Sequence, residues 1–221
     1  MGPRSIIRRS IGLMTLALVA TASRASAQSV EFAGTTAGCF YTGTVACNPT
    51  GGDQVMFLKY ITGTFDQASS NGVAAIGTGP GNDASNFGYF QLGSTADSYL
   101  GQKFLLKVLF TSPLLTGPNA VYTAAVIGTV TNDENGVGGG VSIRFGSSQT
   151  FAFDGPDYAG TFTLKVNNVS VSPGTLETNS FVPVTAFITT NVTSTPEPGT
   201  VALFATGLIA LVPMARRRRQ S

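Results

Sequence analysis

Apolar and polar side chains alternate through most of the chain between residues 28 and 194. Phe104, Leu106, Val108 and Phe110 interleave with Leu105, Lys107, Leu109 and Thr111. Val141, Ile143 and Phe145 interleave with Ser142, Arg144 and Gly146, and Phe162, Leu164 and Val166 with Thr161, Thr163 and Lys165. A period of two with one polar face predicts half-buried antiparallel strands, because successive strand side chains point to opposite faces. The same reading places strands at 30–33, 55–65, 73–76, 87–92, 122–130, 150–153, 169–171 and 182–192. Turn chemistry separates these runs, at Gly79-Pro80-Gly81-Asn82-Asp83, Gly117-Pro118-Asn119, 132–140, Asp154-Gly155-Pro156 and Pro173-Gly174. No stretch of this body has a helical period. About ten strands predict an all-β domain over 28–194, an antiparallel β-sandwich of two packed sheets, jelly-roll-like. Phe57, Phe65, Phe87, Phe90, Phe104, Phe110, Phe145, Phe151, Phe153 and Phe162 fall on these strands and are expected to fill the core. Pro183 implies an edge position or a bulge.

The alternation fails at the two ends. Residues 11–22 are apolar and uncharged, follow Arg4, Arg8 and Arg9, and precede Ala25 and Ala27 at the −3 and −1 positions of an Ala-x-Ala site. That order predicts a secretory signal over 1–27, cut between Ala27 and Gln28. An apolar stretch of about 12 residues is short for a stable span, which argues against the alternative of an uncleaved anchor. At the other end, residues 199–215 are apolar and uncharged and run straight into Arg216, Arg217, Arg218 and Arg219. A helix of that length reaches about 25 Å, close to a thin bilayer core, so a single transmembrane helix is expected. The four arginines act as stop-transfer and hold that end in the cytoplasm. A buried core helix fits poorly, since the stretch is apolar on every face. Before it stands Thr195-Pro196-Glu197-Pro198-Gly199, which two prolines hold extended.

Pro196-Glu197-Pro198, the apolar stretch 201–214 and the terminal arginines occur in the order of the PEP-CTERM sorting signal of bacterial secreted proteins, which this segment resembles over about 27 residues. Pro213, near the end of the apolar stretch, departs from the pattern. The resemblance implies recognition by an exosortase, a membrane cysteine protease-transpeptidase. It also implies an association with exopolysaccharide or biofilm, and says nothing of the body.

Composition narrows the chemistry. The chain has no His, no Trp and two Cys, and 11% of its residues are charged. Without His there is no Ser-His-Asp or Cys-His arrangement, no His metal ligand and no imidazole base. The net charge of +2 misleads, because eight of the thirteen basic residues lie in the terminal segments. Lys59, Lys103, Lys107, Arg144 and Lys165 face ten acids between residues 28 and 195, a net of −5. A nucleic-acid partner needs a clustered basic face, and the body has none.

Cys39 and Cys47 are expected to form a disulfide after export. Asp66, Asp154, Asp157 and Glu177 are the remaining catalytic candidates, and a retaining glycosidase would need two carboxyls about 5 Å apart. Asp in Gly/Pro turns reads better as a turn former. Asp133-Glu134-Asn135-Gly136 offers oxygen ligands without EF-hand spacing and reads as a hairpin turn. Asn82, Asp83 and Asn86 beside Tyr89 suggest a sugar-binding rim. Asn168 and Asn191 head glycosylation sequons that read as plain β surface. The sequence therefore predicts an exported envelope or matrix protein of structural or interaction type, without cofactor, metal or catalysis of its own. The alternatives are a polysaccharide-binding module and a secreted carboxylate-dependent glycoside hydrolase.

Overall fold

Bulky Phe, Tyr, Val, Ile and Leu set among Thr, Ser and Lys suit a pleated, half-buried surface, and these are the stretches that pair. The computed structural model describes residues 29–78, 85–134, 136–155, 158–175 and 180–194, in which all regular structure is strand. In chain order the strands are β1 (Glu31–Thr42), β2 (Asp53–Val55), β3 (Leu58–Ile61), β4 (Thr64–Ala68) and β5 (Val73–Ile76). Next come β6 (Tyr89–Leu92), β7 (Asp97–Ser98), β8 (Gln102–Ser112), β9 (Ala120–Asp133) and β10 (Gly136–Phe145). The last five are β11 (Gln149–Asp154), β12 (Tyr158–Val166), β13 (Val169–Val171), β14 (Ser180–Pro183) and β15 (Ala186–Ser194).

All named strand pairs are antiparallel. A seven-stranded sheet has the order β13-β10-β9-β8-β1-β4, with β7 pairing the far end of β9. Two four-stranded sheets have the orders β11-β12-β15-β5 and β14-β6-β3-β2. The large sheet packs on both. Phe32 of β1 and Phe110 of β8 meet Phe162 of β12 at ring-centroid distances of 5.1 and 5.0 Å. Phe104 of β8 meets Tyr60 of β3 and Phe90 of β6 at 4.9 and 5.0 Å. One core cluster draws on all three sheets, so the molecule is a sandwich whose second layer is split. Three sheets, and a β8-β9-β10 meander at the heart of the largest, distinguish it from the expected two-sheet jelly roll.

Several boundaries differ from expectation for identifiable reasons. The stretch 55–65 is three strands, interrupted by a tight turn at Met56 with φ of 51° and again at 62–63. Phe57 sits in that turn, 44% exposed, and is not part of the core. The stretch 182–192 is divided between β14 and β15, which belong to different sheets, with buried Val184 between them. Pro183 lies on β14, an edge strand, as its missing N–H requires. β1 is three times its expected length, because glycines hide its alternation. A Cβ on Gly34 would strike the Leu109 carbonyl and the Phe65 ring, and one on Gly38 would strike the Phe104 ring and lie 2.7 Å from the Tyr60 ring.

Among the described residues no helix is long and apolar enough to cross a membrane. The expected signal over 1–27 and the expected span over 199–215 lie outside them.

Candidate functional site

Both ends of the described body are tied into its sheets. Ser29 and Val30 are tied down before β1. The Val30 N–H donates to the Ser69 hydroxyl at 2.8 Å, and the Ser29 hydroxyl donates to the Ser69 carbonyl at 3.0 Å. Ala25, Ala27 and Gln28 lie outside the described residues.

At the other end, β15 pairs with β12 along its whole length, from Ala186 opposite Val166 to Ser194 opposite Tyr158. The Thr193 hydroxyl donates to the Ala159 carbonyl at 3.1 Å, and Val192 packs against the core. The second edge of β15 pairs with β5 only from Ala186 to Thr189, after which the Thr190 N–H donates to the Gly72 carbonyl at 2.7 Å. Beyond Thr190, β12 is its one strand partner among the described residues. Pro196 comes two positions after Ser194. Pro196, Glu197 and Pro198, and the expected stop-transfer residues Arg216, Arg217, Arg218 and Arg219, lie outside the described residues.

Cys39 of β1 and Cys47 form the expected disulfide, with Cα atoms 6.2 Å apart. The closed loop runs on to β2 along an edge of β1 that β4 leaves uncovered past Thr35. There the N–H groups of Thr36 and Gly38 donate to the Gly63 and Gly51 carbonyls at 3.0 and 2.8 Å. The Phe40 N–H donates to Asp53 Oδ2 at 2.7 Å. Loop carbonyls and one carboxylate thus close an edge that would otherwise invite another strand. No spacing in the sequence announces this role for Asp53.

An open cleft of about 490 Å³ lies on β2 and β3, lined by Gly52, Asp53, Gln54, Lys59, Tyr60, Ile61 and Thr62. Its polar groups mostly organise the backbone. Asp53 Oδ1 accepts the Gln54 N–H at 2.8 Å, and the Gln54 side-chain amide donates to the Met56 carbonyl at 2.7 Å. Tyr60 is fully buried, and burial pushes its hydroxyl well above the ordinary tyrosine range.

The other candidates are placed as follows. Asp66 on β4 and Asp154 on β11 are exposed and belong to different sheets, while Asp157 and Glu177 lie outside the described residues. Asp133 pairs with Gly136 across the β9–β10 turn, so this segment is the hairpin the sequence suggests. Among the described residues no group of three acidic, His or Cys side chains is placed to hold a metal ion. The sugar-rim expectation fails at Asn86, which is 2% exposed. Its amide donates to the Tyr89 hydroxyl at 2.7 Å, and its carbonyl accepts the Gly88 N–H at 2.8 Å. A turn in that tight corner needs an internal amide, so Asn86 faces in; Asn82 and Asp83 lie outside the described residues. The Asn168 side chain accepts the Phe145 N–H at 2.9 Å, and Asn191 is exposed on β15.

No curated protein and no solved structure matches the chain. A family model does, that of the PEP-CTERM protein-sorting motif, over residues 194–219. The match begins on the last residue of β15 and takes in the Pro-Glu-Pro triplet, the apolar stretch and the arginines. The C-terminal segment of this chain is therefore a PEP-CTERM sorting motif, joined directly to the final strand of an antiparallel all-β body.

Proposed function

We propose that this chain is an exported β-sandwich, processed and sorted at Pro196-Glu197-Pro198 by an exosortase-type membrane enzyme. The body then serves as a structural or interaction component of the cell envelope or extracellular matrix. The match over 194–219 carries this reading. Three features support it. The positively charged start, apolar stretch and Ala25-x-Ala27 provide an export address. The Cys39–Cys47 disulfide suits an oxidising compartment outside the cytosol. The stretch 199–215 with its arginines provides a temporary hold in the membrane. Glu197 is the single charge between the two prolines and the group an enzyme would read. In this reading the chemistry is done to the chain and none is done by it.

The test is Glu197→Ala in cells that process the parent. The variant accumulates as a membrane-held precursor that keeps residues 199–221 and runs heavier than the product. Equal processing of parent and variant would contradict the proposal.

A further inference from the structure

The junction between the last strand and the sorting motif has almost no slack. Ser194 is still paired with Tyr158, and only Thr195 separates it from Pro196. From Ser194 to Gly199 the chain has five Cα–Cα steps, which span at most about 17 Å fully extended. A processing enzyme grips its substrate as an extended segment on both sides of the bond it cuts. Near Pro196 the upstream half of that segment is β15 itself. A sandwich held this close to the bilayer leaves the enzyme nothing upstream to grip except residues already committed to the sheet.

Resting on the sorting reading above, we propose that residues 191–194 unzip from β12 before the sorting segment is cut, so that opening of this strand end sets the processing rate of the folded precursor. The geometry divides β15 into two parts. Ala186 to Thr189 are hydrogen-bonded to strands on both edges, and Ala186 and Ile188 are fully buried. The Thr190 N–H is still held by Gly72. After it, Asn191 and Thr193 are exposed, Val192 is half-buried, and β12 alone pairs with them among the described residues. Strand ends of this kind open at little free-energy cost, whereas doubly paired, buried segments do not. Opening therefore stops at Thr190 and releases four residues, which lengthen the reach by about 13 Å. The cut itself breaks one amide C–N bond. The acyl carbon passes to water or to an acceptor amine, and a proton from that nucleophile goes to the departing amine on the membrane fragment.

Pulse-chase of the full-length precursor, in cells that contain its processing enzyme, tests the idea with two opposed changes. Inserting about eight Gly and Ser residues between Ser194 and Thr195 supplies slack without opening the strand, and raises the processing rate about threefold or more. A disulfide staple across β12 and β15, from Ala159→Cys with Thr193→Cys, holds the end shut and lowers the rate about fivefold or more. Thr161→Cys with Asn191→Cys provides a second staple, and peptide mapping identifies which precursors carry the cross-link with Cys39–Cys47 intact. Unchanged rates in the insertion and in cross-linked precursor, while Glu197→Ala still blocks processing, would overturn the unzipping step and leave the sorting reading standing. Normal processing of Glu197→Ala would overturn both.

Discussion

Thr36 and Tyr60 form a hydrogen-bonded relay inside the sandwich, and both hydroxyls reach the Phe87 carbonyl. The Gly63 N–H donates to the Thr36 hydroxyl at 2.9 Å, Thr36 and Tyr60 hydroxyls are 2.7 Å apart, and Tyr60 donates to the Phe87 carbonyl at 2.7 Å. Every proton in the relay has an acceptor, which is how a buried polar group avoids the cost of lost hydration. Tyr60→Phe removes the hydroxyl that Thr36 and the Phe87 carbonyl share, leaves Thr36 the Phe87 carbonyl at 3.2 Å as acceptor, and lowers stability by about 0.5–1.5 kcal/mol, read as a fall in the urea midpoint with unchanged slope. An unchanged midpoint would mean the relay carries no weight. The same burial shapes the alkaline limit. Burial raises the hydroxyls of Tyr60, Tyr122 and Tyr99 above the ordinary value of 10.0. The fold thus favours the protonated form, while the unfolded chain ionises near its usual pH. That stability is fully present below about pH 10 and is lost as pH rises further towards the folded values. Absorbance at the tyrosinate band is expected to rise together with loss of β circular dichroism; separate transitions would contradict the coupling. None of this was legible at residue scale. Thr36 lies beyond the strand expected at 30–33, and its partners Tyr60, Gly63 and Phe87 are far away in the chain.

Strands with strong alternation were legible, because burial on one face is written directly into the order of side chains. β8 and β12 follow their predicted stretches closely, whereas β9 and β10 extend into the expected turn over 132–140, where Gly136 to Gly140 pair with Asp133 to Thr129 and leave only the tip at Asp133 to Gly136 as the hairpin turn. β1 was largely hidden, since Gly34 and Gly38 meet the core with no side chain. The break at Met56 carries no Gly or Asn to signal it. The disulfide was legible, but its task was not: it holds the loop that caps the open edge of β1. Cys39→Ala with Cys47→Ala removes a closed loop of about nine residues and lowers stability by about 2.5 kcal/mol on the loop-entropy estimate. Amide exchange gives the sharper reading. Gly38 and Phe40, whose acceptors are Gly51 and Asp53 just past the closed loop, lose protection, while Thr36, whose acceptor is Gly63, keeps it. Equal loss at all three would mean that the whole strand edge opens as one unit.

Across the whole molecule, function is read from the ends and stability from the middle. The body carries net negative charge and a core shared by three sheets, and its described polar clusters mostly serve its own backbone. The sorting motif could be read in sequence because dissimilar elements stand in order over a short span; its abutment on β15 could not, since strand ends depend on pairing partners elsewhere in the chain. The proposed life of the protein is export, brief retention in the membrane, and release or attachment of the trimmed sandwich. The most direct test is the intact mass of the protein recovered from the cell envelope or medium. The account predicts a polypeptide that begins at Gln28 and lacks residues 199–221, with Cys39 and Cys47 oxidised. A mass that still includes residues 1–27 or 199–221 would contradict it.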